Sequence, residues 1–414
     1  MKEPRLQRAK KGQLSMTILP YKTIGIIGGG QLGRMMALSA KEMGYIVAVL
    51  DPTPNCPAAQ VSDIEITAAY NDMEAIKKLA SISDVITYEF ENIDYDALTY
   101  LEKNAYLPQG SNVLKITQHR YREKSAIKNM GIPVPKFTLI ENAEQLAQEV
   151  FYPSVLKTTM GGYDGKGQVV LKSEADLPAA LELAAKQECI LEEWMHFSKE
   201  VSVIVARSTT GETAAFPVSE NEHVNNIIHL SIVPARVSKE VEAKAIACAK
   251  KIAEKMNVIG VMGVEMFVVE KAAASLPEGS RTCSAVTAEL GTEPHLYDEI
   301  YINELAPRPH NSGHYTIDAC VTSQFEQHVR AICGLPLGDV TQHTPVVMVN
   351  ILGDHMDKED LANLTPYLPL MKNGKIHLYG KAQAVDKRKM GHLNLLGDIS
   401  QSLKAIMDSG IWKN

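Results

Sequence analysis

The stretch TIGIIGGGQLGRMM, residues 23–36, constrains this chain more than any other. A short apolar run leads into Gly28, Gly30 and Gly33 in the spacing G-x-G-x-x-G, and apolar residues at helical spacing follow. That order demands a strand, a tight turn and a helix, because glycine lets the backbone reverse and lets the helix pack close to the strand. Leu32, Met35, Met36, Ser39 and Met43 share one face of the expected helix Gln31–Met43, and Gly44 stops it. Asp51 closes a second apolar run, YIVAVLD, eighteen residues beyond Gly33. A dinucleotide-binding unit keeps its ribose-holding acid at about that distance. Taken alone the motif reads as an NAD site, although a helix N-terminus suits many anions.

Strand-like and helical patterns alternate through residues 23–112, with DVITYEF as a third strand, and such alternation argues for an open parallel sheet. The pattern then changes. GIPVPKFTLI is punctuated by proline and marks a boundary, and SVLKTT, GQVVLKS and ECILEEW are short strands around a helix over 174–187. Longer strand-like runs follow in EVSVIVARS, VIGVMGVEMFVVE and EIYINELA, with helices over 239–256 and 322–334. A length of 414 residues fits two or three domains.

The net charge of −7 understates the acidity, since the first fifteen residues hold five Lys or Arg against one Glu and leave −11 on the rest. So acidic a chain lacks the basic surface that nucleic-acid binding requires. Six cysteines form no C-x-x-C pair, which points to reduced thiols in the cytoplasm. No apolar run approaches the roughly 20 residues of a membrane span, and the basic N-terminus lacks a signal-peptide core.

A second glycine-rich loop, LKTTMGGYDGKGQVVL, sets Gly161, Gly162, Gly165 and Gly167 among Lys157 and Lys166. Backbone N–H groups freed by glycine can approach phosphate oxygens, and the lysines add charge. It is not a Walker loop, because Met160 stands at the first glycine and Gly167 follows Lys166. Strands on both sides make it a hairpin flap able to cover a triphosphate, with a plain glycine turn as the alternative. Glu265 and Glu304 each interrupt an apolar strand. A carboxylate there costs several kcal/mol unless compensated. Two such acids suit Mg²⁺, or else each forms a salt bridge. Arg308, His310, Asn311, Ser312 and His314 crowd the segment after Glu304. Arginine matches a planar oxyanion such as bicarbonate, and histidine moves protons near neutral pH.

GIIGGGQLGRMM, YEFEN, GGYDGKGQ, NELAPRPHNSGH and RKMGH together resemble the ATP-grasp superfamily, and within it the 5-(carboxyamino)imidazole ribonucleotide synthase family. The likeness runs from about residue 22 over nearly the whole chain. It implies an α/β fold of ATP-grasp architecture. A basic, disordered tail (1–22) would precede an N-terminal Rossmann-like parallel-sheet domain (23–118). A small α+β lid domain (119–193) and a larger α+β domain (194–414) would follow, with residues 271–299 extruded as a loop. The implied reaction carboxylates 5-aminoimidazole ribonucleotide with bicarbonate and ATP through carboxyphosphate, giving ADP and phosphate, in purine biosynthesis.

By the same likeness Arg120 and Lys157 would hold the ATP phosphates beneath the flap Gly161, Gly162, Tyr163, Asp164, Gly165, Lys166 and Gly167. Glu192, Glu193, Trp194 and Met195 would contact adenine, and Glu200 the ribose, with His223 nearby. Glu265 and Glu304 would carry Mg²⁺ with Asn303 alongside. Arg308, His310 and Asn311 would handle bicarbonate and protons, with Tyr163, Asp164 and Lys166 reaching in from the flap. Gln31, Leu32 and Glu89 would line the ribonucleotide pocket, and Lys381 and Arg388 would take its phosphate; as isolated charges the last two could also be a solvated face. A cytoplasmic homodimer is implied, with no nucleic-acid or membrane partner. Two features depart from the family: His119 stands where Asp usually precedes Arg120, and residues 271–299 replace what is normally a short turn, so they are expected as an extruded surface loop. Neighbouring ligases, a formate-dependent glycinamide ribonucleotide transformylase or a biotin carboxylase, would use the same ATP machinery. An NAD-dependent oxidoreductase would leave the second glycine loop and both acids without work.

Overall fold

Four short apolar segments make the first layer: β1 (Thr23–Ile27), β2 (Ile46–Asp51), β3 (Ile64–Thr67) and β4 (Val85–Tyr88). They pair in parallel in the order β3-β2-β1-β4, with Ile24 opposite both Val47 and Val85. β1, β2 and β4 are buried along nearly their whole length, as parallel strands covered on both faces must be. The helix Gln31–Glu42 buries Leu32, Met35, Met36, Ala37 and Ala40, while Ser39 and Met43 lie at the edge of that face. Gly44 ends it at φ +84°. The computed structural model describes residues 16–91, 93–161, 167–271, 297–356 and 364–411. Residues 1–15 of the expected tail and 272–296 of the expected loop lie outside them.

The tail expected over 1–22 ends sooner than the charge pattern suggests. Ile18 is buried, its N–H donates to the Cys333 carbonyl at 2.8 Å, and Tyr45 Oη donates to the Ile18 carbonyl at 2.6 Å. Its side chain joins Met35, Met36, Phe325 and Val329 in one core, so burial of Ile18 anchors this segment while Thr17 and residues 19–22 stay exposed.

The second layer is the antiparallel sheet β5 (Phe137–Ile140), β6 (Ser154–Thr158), β7 (Gln168–Leu171) and β8 (Cys189–Glu193), ordered β5-β8-β6-β7. Helices Ala143–Glu149 and Leu177–Ala184 cover it through Leu146, Ala180 and Ala184.

The third is a nine-stranded sheet: β9 (Lys199–Arg207), β10 (Thr213–Ala215), β11 (Ser219–Val224), β12 (Ile227–Val233), β13 (Gly260–Lys271), β14 (Tyr297–Ala306), β15 (Val346–Leu352), β16 (Gly374–Leu378) and β17 (Lys389–Leu396). Its path is β14-β13-β9-β11-β12-β15-β17-β16, with β10 on β9, so the C-terminal strands extend the same sheet. Helix Lys239–Lys255, capped by Ser238, buries Val241, Ala245, Ala249 and Ile252 against it. Ile127, from helix Arg120–Asn129, enters that core as well, although the helix was expected to belong with the lid. Among the described residues no helix is long and apolar enough to cross a membrane, and the five described cysteines are unpaired.

Candidate active site

Between the second and third sheets lies a cleft of about 650 Å³. Beside it, toward the first sheet, is a pocket of about 190 Å³. Arg308, His310 and Lys389 line both.

The acids of the cleft owe their placement to strand register. β13 and β14 pair Glu265 with Glu304, and the next pair is Met266 with Ile302. The extra residue is Asn303, so β14 bulges there and presents both Asn303 and Glu304 to the cleft. Two carboxylates directly opposite each other repel unless cations intervene. Here Glu265 Oε1 receives His310 Nε2 at 3.0 Å, and Glu304 Oε2 receives Arg120 Nη1 at 3.1 Å. Burial disfavours charge on Glu265, yet the hydrogen bond from His310 and the nearby His223 and Lys389 hold its pKa below the usual carboxylate range. Paired oxygen donors on the wall of so large a cleft fit Mg²⁺, which takes one or two carboxylates and draws further ligands from substrate phosphates.

His310 is itself positioned from behind. A Cβ at Gly263 would fall 2.6 Å from His310 Cβ, so glycine lets the ring approach β13. Ser231 Oγ donates to Asn221 Oδ1 (2.8 Å), Asn221 Nδ2 to Ser202 Oγ (2.9 Å), and Ser202 Oγ to Ser312 Oγ (2.6 Å). Ser312 Oγ lies 2.9 Å from His310 Nδ1, and the Ser312 N–H also donates to Nδ1. A backbone N–H can only donate, so Nδ1 accepts and Nε2 carries the proton offered to Glu265.

Farther along the cleft, Lys157 Nζ and Lys124 Nζ lie 2.9 and 3.4 Å from Glu192 Oε2. Burial opposes the charge on Glu192, but the two lysines hold its pKa down to about 2. Its carboxylate therefore faces lysines, while Glu193, Trp194 and Met195 stand at the more open rim. Phe197 and Phe267 stack on each other there with ring centroids 4.6 Å apart, an apolar wall against which a planar base can lie. Glu200 Oε2 and His223 Nδ1 meet at 2.9 Å; burial alone would lower the His223 pKa, and Glu200 raises it above its ordinary value. Arg120 opens its helix, where the N-cap His119 makes no side-chain cap and instead reaches Glu188 at 2.9 Å.

The first glycine loop forms the floor of the small pocket. A Cβ at Gly28, whose φ is +104°, would fall 2.3 Å from Glu89 Cγ, so only glycine fits. The Gly30 and Gly33 N–H groups each donate to the Glu89 carboxylate at 2.6 Å. Asp51 accepts from the Gly29 N–H at 2.7 Å and from Tyr70 Oη at 2.6 Å. The anion slot that suggested a dinucleotide is thus filled by the protein's own glutamate. Gln31, Leu32 and Glu89 line the pocket with Asn311, and Arg308 is held by Glu91 at 2.8 Å. Lys381 and Arg388 line neither cavity. Lys381 Nζ donates to the Lys389 carbonyl at 2.7 Å, and its pKa falls to about 8 through burial and the charge of Arg388, with Glu89 opposing. Arg388 is exposed.

Gly161 reaches the cleft, whereas Gly162, Tyr163, Asp164, Gly165 and Lys166 lie outside the described residues. Sequence reasoning passed over Lys124, Phe197, Phe267 and Lys389. Phe267 was within reach, since strand alternation from Glu265 puts it on the same face. Lys124 was not, because a lysine in the highly charged helix RYREKSAIKN reads as solvated.

Three family models match the chain. The ribonucleotide synthetase preATP-grasp domain covers residues 21–118, the ATP-grasp domain 125–325, and the phosphoribosylaminoimidazole carboxylase C-terminal domain 346–406. The sequence is 51% identical over 382 residues to the N5-carboxyaminoimidazole ribonucleotide synthase of Bacillus subtilis (strain 168), spanning 92% of each chain. The structure is similar to that of an N5-carboxyaminoimidazole ribonucleotide synthetase in complex with ADP, at 56% identity and a TM-score of 0.86 over 96% of this chain and 99% of that one. It is also similar to the Aspergillus clavatus N5-carboxyaminoimidazole synthase in complex with ADP and 5-aminoimidazole ribonucleotide, at 30% identity and a TM-score of 0.80 over 95% and 99%.

Proposed function

This chain belongs to the N5-carboxyaminoimidazole ribonucleotide synthase family, and on that premise we propose how its residues divide the work. It is an ATP-grasp ligase that carboxylates 5-aminoimidazole ribonucleotide at the expense of ATP in purine biosynthesis. The observation that carries the division is the pair of adjoining cavities with Arg308, His310 and Lys389 common to both. One cavity has cations able to meet phosphates and an apolar wall; the other is polar and the size of a small heterocycle.

ATP occupies the large cleft. Its base lies at Phe197, Phe267, Trp194 and Met195, its ribose near Glu200 and His223, and its phosphates against Arg120 and Lys157. Glu265 and Glu304 with Asn303 would hold Mg²⁺, which would neutralise charge on the phosphates. The ribonucleotide occupies the small pocket over Gln31, Leu32 and Glu89, with its phosphate toward Lys381 and Arg388.

Bicarbonate sits at the junction against Arg308. Its oxygen attacks the γ-phosphorus, the bond to the ADP oxygen breaks, and carboxyphosphate forms beside the cations. Carboxyphosphate then loses phosphate to leave CO₂, and the substrate amine bonds to that carbon and gives up a proton. We assign that proton to His310, once substrate binding frees its ring from Glu265, and the orienting of the amine to Asn311. Tyr163, Asp164 and Lys166 complete the set from the flap, which keeps water from the intermediate.

Phosphate release from ATP, measured with each substrate omitted in turn, tests this. Release is expected to require ribonucleotide and bicarbonate together. Release that ignores the ribonucleotide, or that formate or biotin supports equally, would overturn it. We also place the protein in the cytoplasm as a homodimer, readable from its mass by light scattering.

A further inference from the structure

His314 lines the small pocket, and the division of roles above leaves it without one. Its side chain is 1% exposed and packs against His392, Phe325 and Tyr379, with ring centroids 4.9, 5.6 and 6.1 Å away. Its tautomer can be deduced from Gln324, a fully buried residue at the start of helix Gln324–Ile332. Gln324 Oε1 accepts the His310 N–H at 2.9 Å, and Gln324 Nε2 donates to the His310 carbonyl at 2.8 Å. A backbone N–H only donates and a carbonyl only accepts, so the two contacts fix which end of the amide is which.

Gln324 Nε2 is then also the donor to His314 Nδ1, 3.1 Å away. Nδ1 must be a bare acceptor. Burial, followed by the charges of His310, Lys389, His377 and Arg308, keeps the ring from protonating, so the single proton sits on Nε2. Among the described residues Nε2 has no hydrogen-bond partner. Asn311, on the same pocket and 7% exposed, has neither end of its amide paired. Buried groups of this kind cost free energy until an acceptor or donor arrives.

We propose that His314 Nε2–H donates a hydrogen bond to an acceptor atom of the ribonucleotide's heterocycle, and that Gln324 is the positioning residue that fixes this tautomer. The inference rests on assigning the ribonucleotide to the small pocket. The base is a better partner than the phosphate. Phosphates draw charged donors and free helix N-termini, and the Gly30 and Gly33 N–H groups are already taken by Glu89. A neutral N–H matches an uncharged acceptor such as the unsubstituted ring nitrogen of an imidazole. Because the donor is held before substrate arrives, little ordering remains to be done on binding.

The full chain labelled with ¹⁵N-histidine, observed through two-bond ¹H–¹⁵N couplings, reads the tautomer directly. His314, assigned by its loss in His314→Phe, is expected to show a protonated Nε2 and a bare Nδ1 across neutral pH. The Nε2 resonance should shift with aminoimidazole ribonucleotide and stay still with ADP alone. In kinetics His314→Phe should raise KM for the ribonucleotide about tenfold or more while leaving KM for ATP within about twofold. Gln324→Leu should move the ribonucleotide KM in the same direction and mix the two tautomers. The opposite tautomer, a charged ring, or an Nε2 resonance that ignores the ribonucleotide while turnover proceeds would overturn the proposal. Absence of ribonucleotide-dependent turnover in the wild type would instead bring down the assignment of the pocket. Should His314→Phe fail to fold, assignment passes to His314→Gln and the wild-type titration decides.

Discussion

Glu89 and Glu265 border adjoining cavities and are similarly shielded, Glu89 with 8% exposure and the Glu265 side chain with 12%. They are held by opposite means. Glu89 leans on dipoles, the Gly30 and Gly33 N–H groups at a helix N-terminus, and burial still pushes its pKa up. Glu265 leans on charged and chargeable side chains, His310, His223 and Lys389, and its pKa goes down. Fixed amides can cap a carboxylate without needing it to be fully ionised, which makes Glu89 a structural plug for the glycine loop. Side chains that can let go leave a carboxylate available to another cation, which makes Glu265 a ligand in waiting. The neighbouring Glu304 is likewise held by a side chain, Arg120, rather than by backbone amides.

The sharpest way to break this contrast is to remove charge without changing shape. Glu304→Gln or Glu265→Gln should lower kcat by about a thousandfold, because the cation-binding oxygens lose their charge where phosphate charge develops. The circular dichroism spectrum should stay that of the folded wild type at the temperature of the assay, since Gln can still accept from Arg120 or His310. If either variant kept more than a tenth of the activity, the metal-ligand role would be lost. Next in size is Lys157→Met, which leaves Glu192 with Lys124 and Arg120. It should raise KM for ATP by about ten- to a hundredfold, as expected for one charged hydrogen bond, with the ribonucleotide KM little changed. An ATP KM that did not move would separate Lys157 from the phosphates.

Glu89→Gln should behave differently, with stability as its main readout. One amide oxygen cannot serve both Gly30 and Gly33, so an N–H is left facing an NH₂ group, at a cost of about 1–3 kcal/mol. The thermal midpoint should fall by a few degrees. A midpoint that rises would mean that the folded protein already holds Glu89 protonated, and would sharpen the contrast with Glu265.

These two glutamates also mark what could be read from sequence and what could not. The strand–turn–helix at Gly28–Gly33 was legible because its constraints are local: three glycines, an apolar run and a helical face within fourteen residues. The loop's partner was not, since Glu89 lies 56 residues beyond Gly33 and only tertiary structure brings it to those amides. Glu265 and Glu304 stood out as acids in apolar strands. That they face each other depends on a bulge at Asn303, which no local pattern announces. The Ser231–Asn221–Ser202–Ser312 chain behind His310 joins residues of four segments, each an ordinary polar residue by itself. Ile18 reads as part of the tail because basic charge precedes it, and only the fold brings it against Met35, Met36, Phe325 and Val329.

The smallest effect, and the most direct test of opposite support, is the sign of the pH dependence. Glu265 has its folded pKa below the 4.5 of an ordinary glutamate, so its contribution to stability is present above about pH 4.5 and is lost as pH falls through the folded value. Glu89 has its folded pKa above 4.5, so its protonated form is the one folding favours. Its contribution is full at acid pH and declines as pH rises from about 4.5 through the folded value. Thermal midpoints of wild type, Glu265→Gln and Glu89→Gln, taken from pH 4 upward, should therefore give difference curves of opposite slope. Each unit of pKa shift is worth about 1.4 kcal/mol, so a shift of the midpoint by a degree or more is expected between the ends of the range. If both differences grew toward neutral pH, Glu89 would be an ionised partner like Glu265, and the pocket floor would be an anion facing the ribonucleotide rather than a neutral plug beneath it.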